Sequence, residues 1–111
     1  MEIKNTHFKH CHLVEISGRI DSYTSPQLDK VLKEITDSGE FNVILDLKNV
    51  EFLSSAALRV FINYQKLCRR YNRGEVVLSD IQENVLKALD LAGFTRFFKI
   101  FDNAVLAVGS F

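Results

Sequence analysis

The 111-residue sequence is poor in residues that mark several specialised classes of protein. It has one proline and five glycines, a composition that argues against a disordered or low-complexity chain. Its two cysteines, Cys11 and Cys68, lie far apart and in no metal-ligand spacing, so we interpret them as reduced thiols of the core. Reduced thiols are typical of the cytoplasm, and we expect this localisation.

The sequence also has no excess of charge of one sign and no long apolar run. Fourteen Lys and Arg balance fourteen Asp and Glu, so the formal net charge is zero. Nonspecific nucleic-acid binding depends on a cationic surface, and we therefore expect no nucleic-acid partner. No apolar run approaches the roughly 18–20 residues that cross a bilayer, and residues 1–10 lack the apolar core of a signal peptide. The sequence thus predicts no membrane insertion.

Strand-like and helix-like segments alternate along the chain, and 47% of its residues are hydrophobic, enough to bury a core. We predict strands at residues 2–10, 11–20, 41–47, 73–79 and 96–101, helices at 25–39, 55–72 and 83–93, and a short docked helix in the tail, 102–111. The alternation indicates an α/β fold. We expect one domain, residues 1–111, with a mixed, mostly parallel sheet of four to five strands and about four helices.

Local signals set the expected ends and faces of these segments. Gly18 is predicted to end the second strand. Ser25 suits the N-cap of the first helix, Pro26 its first position and Gly39 its stop. Residues 43–45 are consecutively apolar, which predicts a central strand covered on both faces.

No constellation of catalytic residues is evident. The histidines cluster at the N-terminus, and strand alternation places His10 and His12 on one face as a conceivable metal pair. No carboxylate or thiol completes a ligand spacing, so we interpret them as surface or edge-strand residues and expect no metal site. No histidine follows residue 12 to activate a serine, and there is no Gly-rich phosphate loop. We expect no enzyme, no catalytic residues and no cofactor.

Two serines begin the predicted second helix. Ser54 suits the N-cap, which leaves Ser55 as the first helical residue with an exposed hydroxyl. The free N–H groups and positive dipole end of a helix N-terminus tolerate an attached phosphate. Loops at the carboxyl ends of parallel strands carry functional sites, so the segments 18–25 and 47–55 are expected side by side. Phosphorylation of Ser55 is therefore a reasonable hypothesis.

Four motifs, in this order, resemble the STAS domain, and in particular the bacterial anti-sigma factor antagonists. They are Gly18–Asp21 before the first helix, Asp46–Leu47 in a hydrophobic strand, Phe52–Ser55 at the start of the second helix, and Leu89–Phe94 before the last strand. The resemblance covers nearly the whole chain. The sequence departs from the family pattern at Ser54, which replaces an acidic residue, and at Ala56–Ala57, which replaces a Ser/Ala-Gly pair.

The resemblance implies a protein-binding regulator that sequesters an anti-sigma factor with serine kinase activity. It implies that this partner phosphorylates Ser55 and that a serine phosphatase reverses the modification. The open alternative is a STAS-domain scaffold or transporter accessory protein that is not phosphorylated. From the expected position of the two loops, we predict a partner-binding surface formed by Asp21, Tyr23, Ser54, Ser55 and Leu58, with Tyr23 and Leu58 as apolar anchors.

Overall fold

The computed structural model describes residues 1–111 and contains five strands and four α-helices. The elements are β1 (Glu2–His7), β2 (His12–Ile20), α1 (Ser25–Asp37), β3 (Asn42–Leu53), α2 (Ser55–Arg69), β4 (Glu75–Ser79), α3 (Glu83–Leu91), β5 (Ile100–Phe101) and α4 (Ala104–Gly109). Their order confirms the predicted α/β class and the short helix in the tail.

The sheet has the strand order β1-β2-β3-β4-β5. β1 pairs with β2 in the antiparallel sense, and every other pair is parallel. β3 lies at the centre, and its residues 43–45 are all buried, as their apolar run predicts. The sheet is therefore mixed and mostly parallel, as expected.

Helices cover both faces of the sheet. Buried side chains of α1, α2 and α3 pack against one face in a large core, which includes Leu32, Phe61 and Leu89. On the opposite face, Ala107 of α4 packs in a smaller cluster with Ile44 of the central strand. Because Ile44 alternates with core residues on either side of it, a single strand contributes to both clusters.

The central strand is longer than predicted. The segment 47–55 was expected to be a loop after a strand ending at residue 47, but β3 continues to Leu53. Val50 and Leu53 are buried in the extension, and Gly18↔Val50 and Ile20↔Leu53 are paired with β2. The prediction was wrong because polar residues between Leu47 and Leu53 hide the buried positions in the sequence pattern.

Gly18 does not end β2, contrary to prediction. It lies inside the strand with a φ of +103°, a conformation that favours glycine. The pairing register shifts after it, so that Arg19 lies opposite Phe52 and Ile20 opposite Leu53. The glycine thus permits an irregularity of the β-bulge type, and the strand then carries on to the site.

The first helix also begins differently from the prediction. Thr24 is its N-cap residue, and Ser25 is the buried first residue of α1. The Thr24 hydroxyl does not cap the helix, because it lies within 3.1 Å of the Asp21 carboxylate and donates to the Arg19 carbonyl at 2.9 Å. Gly39 follows the end of α1 with a φ of +89°, in agreement with its predicted role as the stop.

The last strand is shorter than predicted. Only Ile100 and Phe101 pair with β4, whereas residues 95–97 form a 3-10 turn. Phe98 is buried and packs edge-on against Phe61, with 6.3 Å between ring centroids. The apolar content that predicted a strand over 96–101 therefore reflects core packing at Phe98 rather than strand pairing.

Gln65 joins α2 to the sheet and was not predicted as a core residue. Its side-chain amide donates to the carbonyls of Val76, at 2.9 Å, and Phe97, at 2.6 Å. Its carbonyl oxygen accepts the Val76 N–H at 2.7 Å. These bonds satisfy buried backbone groups where α2 passes over the edge of β4, and they fix the helix that begins at Ser55.

Candidate functional site

The carboxyl ends of β2 and β3 lie side by side. Ile20 and Leu53 are register partners, and the Ser54 backbone N–H donates to the Ile20 carbonyl at 2.9 Å. The turn after β2 and the first residue of α2 therefore share one edge of the sheet. This is the juxtaposition expected for the segments that contain Asp21 and Ser54.

Asp21 organises the turn between β2 and α1. One carboxylate oxygen accepts the backbone N–H groups of Tyr23 and Thr24, each at 3.0 Å. The bond from Thr24 is the largest cause that lowers the pKa of Asp21 below its ordinary value. The carboxylate is thus ionised and used within its own turn. Tyr23, in the same turn, is 91% exposed.

Ser54 and Ser55 occupy different positions at the start of α2. Ser54 has the extended backbone of an N-cap, and its hydroxyl oxygen accepts the Ala57 N–H at 3.2 Å. Ser55 is the first residue of the helix and is exposed. The cap does not use the Ser55 hydroxyl, which is accordingly free to react or to contact a partner.

A shallow groove starts at Ser55. It has a volume of about 230 Å³ and is lined by Ser55, Leu58, Arg59, Ile62 and Phe94. Leu58 is half-buried in it and packs against the core. Phe94 was not among the predicted site residues, because it follows α3 in sequence and meets α2 only through the fold. The groove therefore combines the candidate serine with apolar side chains.

The groove continues along α2 toward basic residues. Ile62 and Phe94 also line a second cavity of about 510 Å³, whose other lining residues are Gln65, Lys66, Arg69, Arg70 and Phe97. Arg69 is held by Glu75 at 3.5 Å. The surface thus changes from a hydroxyl and apolar contacts at Ser55 to positive charge at the end of the helix.

A group of metal-ligating side chains lies at the opposite end of β2. The predicted pair was His10 and His12, but His10 is exposed in the hairpin between β1 and β2. His7 instead lies directly opposite His12, and their rings stack with centroids 4.1 Å apart. Glu40 places a carboxylate oxygen 3.3 Å from Nε2 of His7. The fold thus supplies the carboxylate that the sequence spacing did not show.

His12 was predicted to be a surface or edge-strand residue, but this prediction was wrong, because the residue is only 7% exposed. Its Nδ1 lies 3.1 Å from the Asn5 side-chain oxygen, and its Nε2 is buried without a hydrogen-bond partner. Burial lowers the pKa of His12, His7 lowers it further, and Glu40 opposes the shift. The ring is therefore held neutral at physiological pH.

The fold defines the class of protein. The structure superposes on a candidate anti-sigma factor antagonist from Thermotoga maritima with a TM-score of 0.90, at 22% identity, covering 97% of this chain and 92% of that one. The class is that of small α/β domains with a mixed five-stranded sheet and helices on both of its faces.

Within that class, the chain belongs to the STAS domain family, whose model matches residues 2–107. It is 31% identical to BtrV of Bordetella bronchiseptica, described as a candidate anti-sigma factor antagonist, over 86% of this chain and 82% of that protein. It is 28% identical to the anti-sigma F factor antagonist of Paenibacillus polymyxa, over 97% of this chain and 92% of that protein. The resemblance inferred from the four motifs is confirmed. None of the helices is long and apolar enough to span a bilayer.

The different positions of the two serines predict different costs of substitution. We expect Ser54→Ala to lower the free energy of unfolding by about 0.5–2 kcal/mol, because the Ala57 N–H loses its acceptor. Ser55→Ala is the matched control and should change it by less than about 0.5 kcal/mol, because the side chain is exposed. Urea unfolding of the two variants measures both values. Equal costs for the two variants would contradict the assignment of the cap to Ser54.

Proposed function

We propose that this protein is an anti-sigma factor antagonist switched by phosphorylation of Ser55. In its unmodified form it sequesters an anti-sigma factor that has serine kinase activity. Phosphorylation by that partner releases it, and a serine phosphatase restores the binding form. The observation that carries the proposal is the exposed hydroxyl of Ser55 at the start of α2, next to a separate serine that performs the capping.

Three features of the site support a phosphate on Ser55. The first turn of α2 has backbone N–H groups without helical partners, and the helix dipole is positive at this end. The first turn contains no acidic residue that would repel the phosphate. Arg59 follows Ser55 by one helical turn and lines the same groove, so a cationic residue borders the site of the added negative charge. The domain therefore tolerates the modification.

The partner surface extends from the turn after β2 to the groove along α2. Tyr23, in the turn after β2, is the exposed aromatic anchor, and Leu58, in the groove that starts at Ser55, is the half-buried aliphatic anchor. Asp21 contributes indirectly, because its carboxylate holds the turn that presents Tyr23. Ser54 is included in the surface because it caps the helix directly before Ser55. Tyrosine is among the residue types that most often dominate the binding energy of an interface.

We expect partner binding to bury the unmodified Ser55, so that a phosphate on this residue would oppose binding. A phosphate carries about −1.5 to −2 charges at neutral pH. Removing that charge from water without a new cation is costly, so the interface formed by the unmodified serine is lost. Ser55 is exposed, whereas Leu53 and Ala57 on either side of it are buried, so we expect the added charge to leave the core unchanged.

Ser54 replaces the acidic residue that the family pattern has before the phosphoacceptor. A kinase that recognises this site must therefore contact an uncharged cap rather than a carboxylate. The replacement is the one feature that favours the alternative function, a scaffold or transporter accessory protein that is never phosphorylated. The two functions make opposite predictions for Ser55.

We expect the cognate kinase to incorporate phosphate into the unmodified protein and into Ser54→Ala but not into Ser55→Ala. The physical reason is that only the Ser55 hydroxyl is free of the cap. Incorporation is measured with labelled ATP and mapped by phosphopeptide mass spectrometry. Phosphate found on Ser54 alone, or none in the presence of an active kinase that binds the chain, would contradict the proposal.

Tyr23 and Tyr71 provide a matched pair for testing the surface. Both tyrosines are largely exposed, at 91% and 79%, but Tyr71 lies beyond the other end of α2. We expect Tyr23→Ala to weaken partner binding at least about tenfold, as for an interface anchor worth more than 1 kcal/mol. Tyr71→Ala should leave the affinity unchanged in the same calorimetric titration. Weakening by Tyr71→Ala alone would place the surface elsewhere.

A further inference from the structure

We propose that His7, His12 and Glu40 form a binding site for a divalent transition-metal ion, with Zn²⁺ as its probe. The site lies at the start of β2, at the opposite end of that strand from Ser55. It is independent of the proposed phosphorylation switch. The sequence predicted no metal site because it supplied two histidines on one strand face and no third ligand.

The three side chains already lie within reach of a single ion. Their ligand atoms, two imidazole nitrogens and a carboxylate oxygen, are all within 4.8 Å of one another. His7 and His12 are register partners on antiparallel strands, so the backbone holds them opposite each other. Glu40 lies in the turn after α1 and so comes from a different part of the fold than the two histidines. Three convergent ligands of this kind leave a fourth position for water, as in tetrahedral zinc sites with an open position.

His12 is prepared for metal binding by Asn5. The Asn5 side-chain oxygen can only accept, so at 3.1 Å it places the proton on Nδ1 of His12. The lone pair of Nε2 is then free, and that atom is buried without any partner in the protein. Metal-binding histidines commonly donate their other N–H to an oxygen that fixes the tautomer and the ring orientation. Asn5 provides such an oxygen from the neighbouring strand.

His7 and Glu40 can complete the coordination by moving. The rings of His7 and His12 are within 10° of parallel, and parallel rings do not point both lone pairs at one ion. Binding therefore requires the His7 ring to turn toward the space between Nε2 of His12 and Glu40. The His7 side chain is 53% exposed and that of Glu40 is 38% exposed, so neither is confined by the core. The terminal torsion of histidine is soft.

The ligand set selects the class of ion. Imidazole nitrogens bind zinc, copper and nickel in preference to Mg²⁺ or Ca²⁺, which favour oxygen ligands alone. One carboxylate added to two imidazoles matches the donors found in zinc sites. We therefore expect Zn²⁺ to bind and Mg²⁺ not to compete.

The experiment is a calorimetric titration of the full chain with ZnCl₂. We expect one saturable site that excess Mg²⁺ leaves unchanged. His7→Ala and Glu40→Gln should each weaken it at least tenfold, and Asn5→Ala should weaken it by about 10–100-fold, as expected for an outer partner of a ligand. His10→Ala is the matched control, because His10 is an exposed histidine in the same hairpin that does not belong to the cluster. It should leave the affinity unchanged.

A second measurement avoids replacing the buried His12. In an NMR titration with Zn²⁺, the imidazole signals of His7 and His12 should shift together while those of His10 stay in place. The proposal would be overturned by absence of saturable binding, by a loss of affinity in His10→Ala equal to that in His7→Ala, or by ring signals of His12 that do not respond. Circular dichroism of each variant confirms that it is folded before its affinity is compared.

Discussion

The hydrogen bond from the Ser54 N–H to the Ile20 carbonyl joins the ends of two parallel strands, and the candidate site depends on it. It is the last link of a pairing that runs from His12↔Val43 to Ile20↔Leu53. Because the strands end together, the turn held by Asp21 and the first residues of α2 are neighbours. A different register would separate the turn after β2 from the start of α2. The surface is thus a consequence of how the two strands are paired.

The residues around Ser55 are fixed by the fold, whereas the Ser55 side chain itself is exposed. Leu53 and Ala57 are buried in the core, and Ser54 caps the helix. Gln65 makes two hydrogen bonds to Val76 of β4 and one to the Phe97 carbonyl. The Ser55 side chain is exposed and does not cap the helix. Such a residue can gain a charge while the fold remains in place, so we attribute the proposed switch to surface electrostatics rather than to a change of conformation.

The order of the elements and the two serines could be predicted from the sequence, because helical spacing, capping residues and an apolar run are local signals. The extension of β3 could not, since its polar residues are stabilised by pairing with β2 rather than by burial. The burial of His12 and its approach to Glu40 depend on contacts between distant elements. Thr24, rather than Ser25, is the N-cap residue of α1. Its hydroxyl contacts Asp21 and Arg19 instead of capping the helix, which no single position of the sequence reveals.

The most direct test of the central claim compares unmodified protein with protein phosphorylated on Ser55. It measures the affinity for the anti-sigma partner together with amide hydrogen exchange across the domain. We predict that phosphorylation weakens binding by at least about a hundredfold, or roughly 2.7 kcal/mol, while exchange protection of the sheet is retained. Equal affinity of the two forms would contradict the switch. Weaker binding accompanied by a general loss of protection would contradict the claim that surface charge alone causes it.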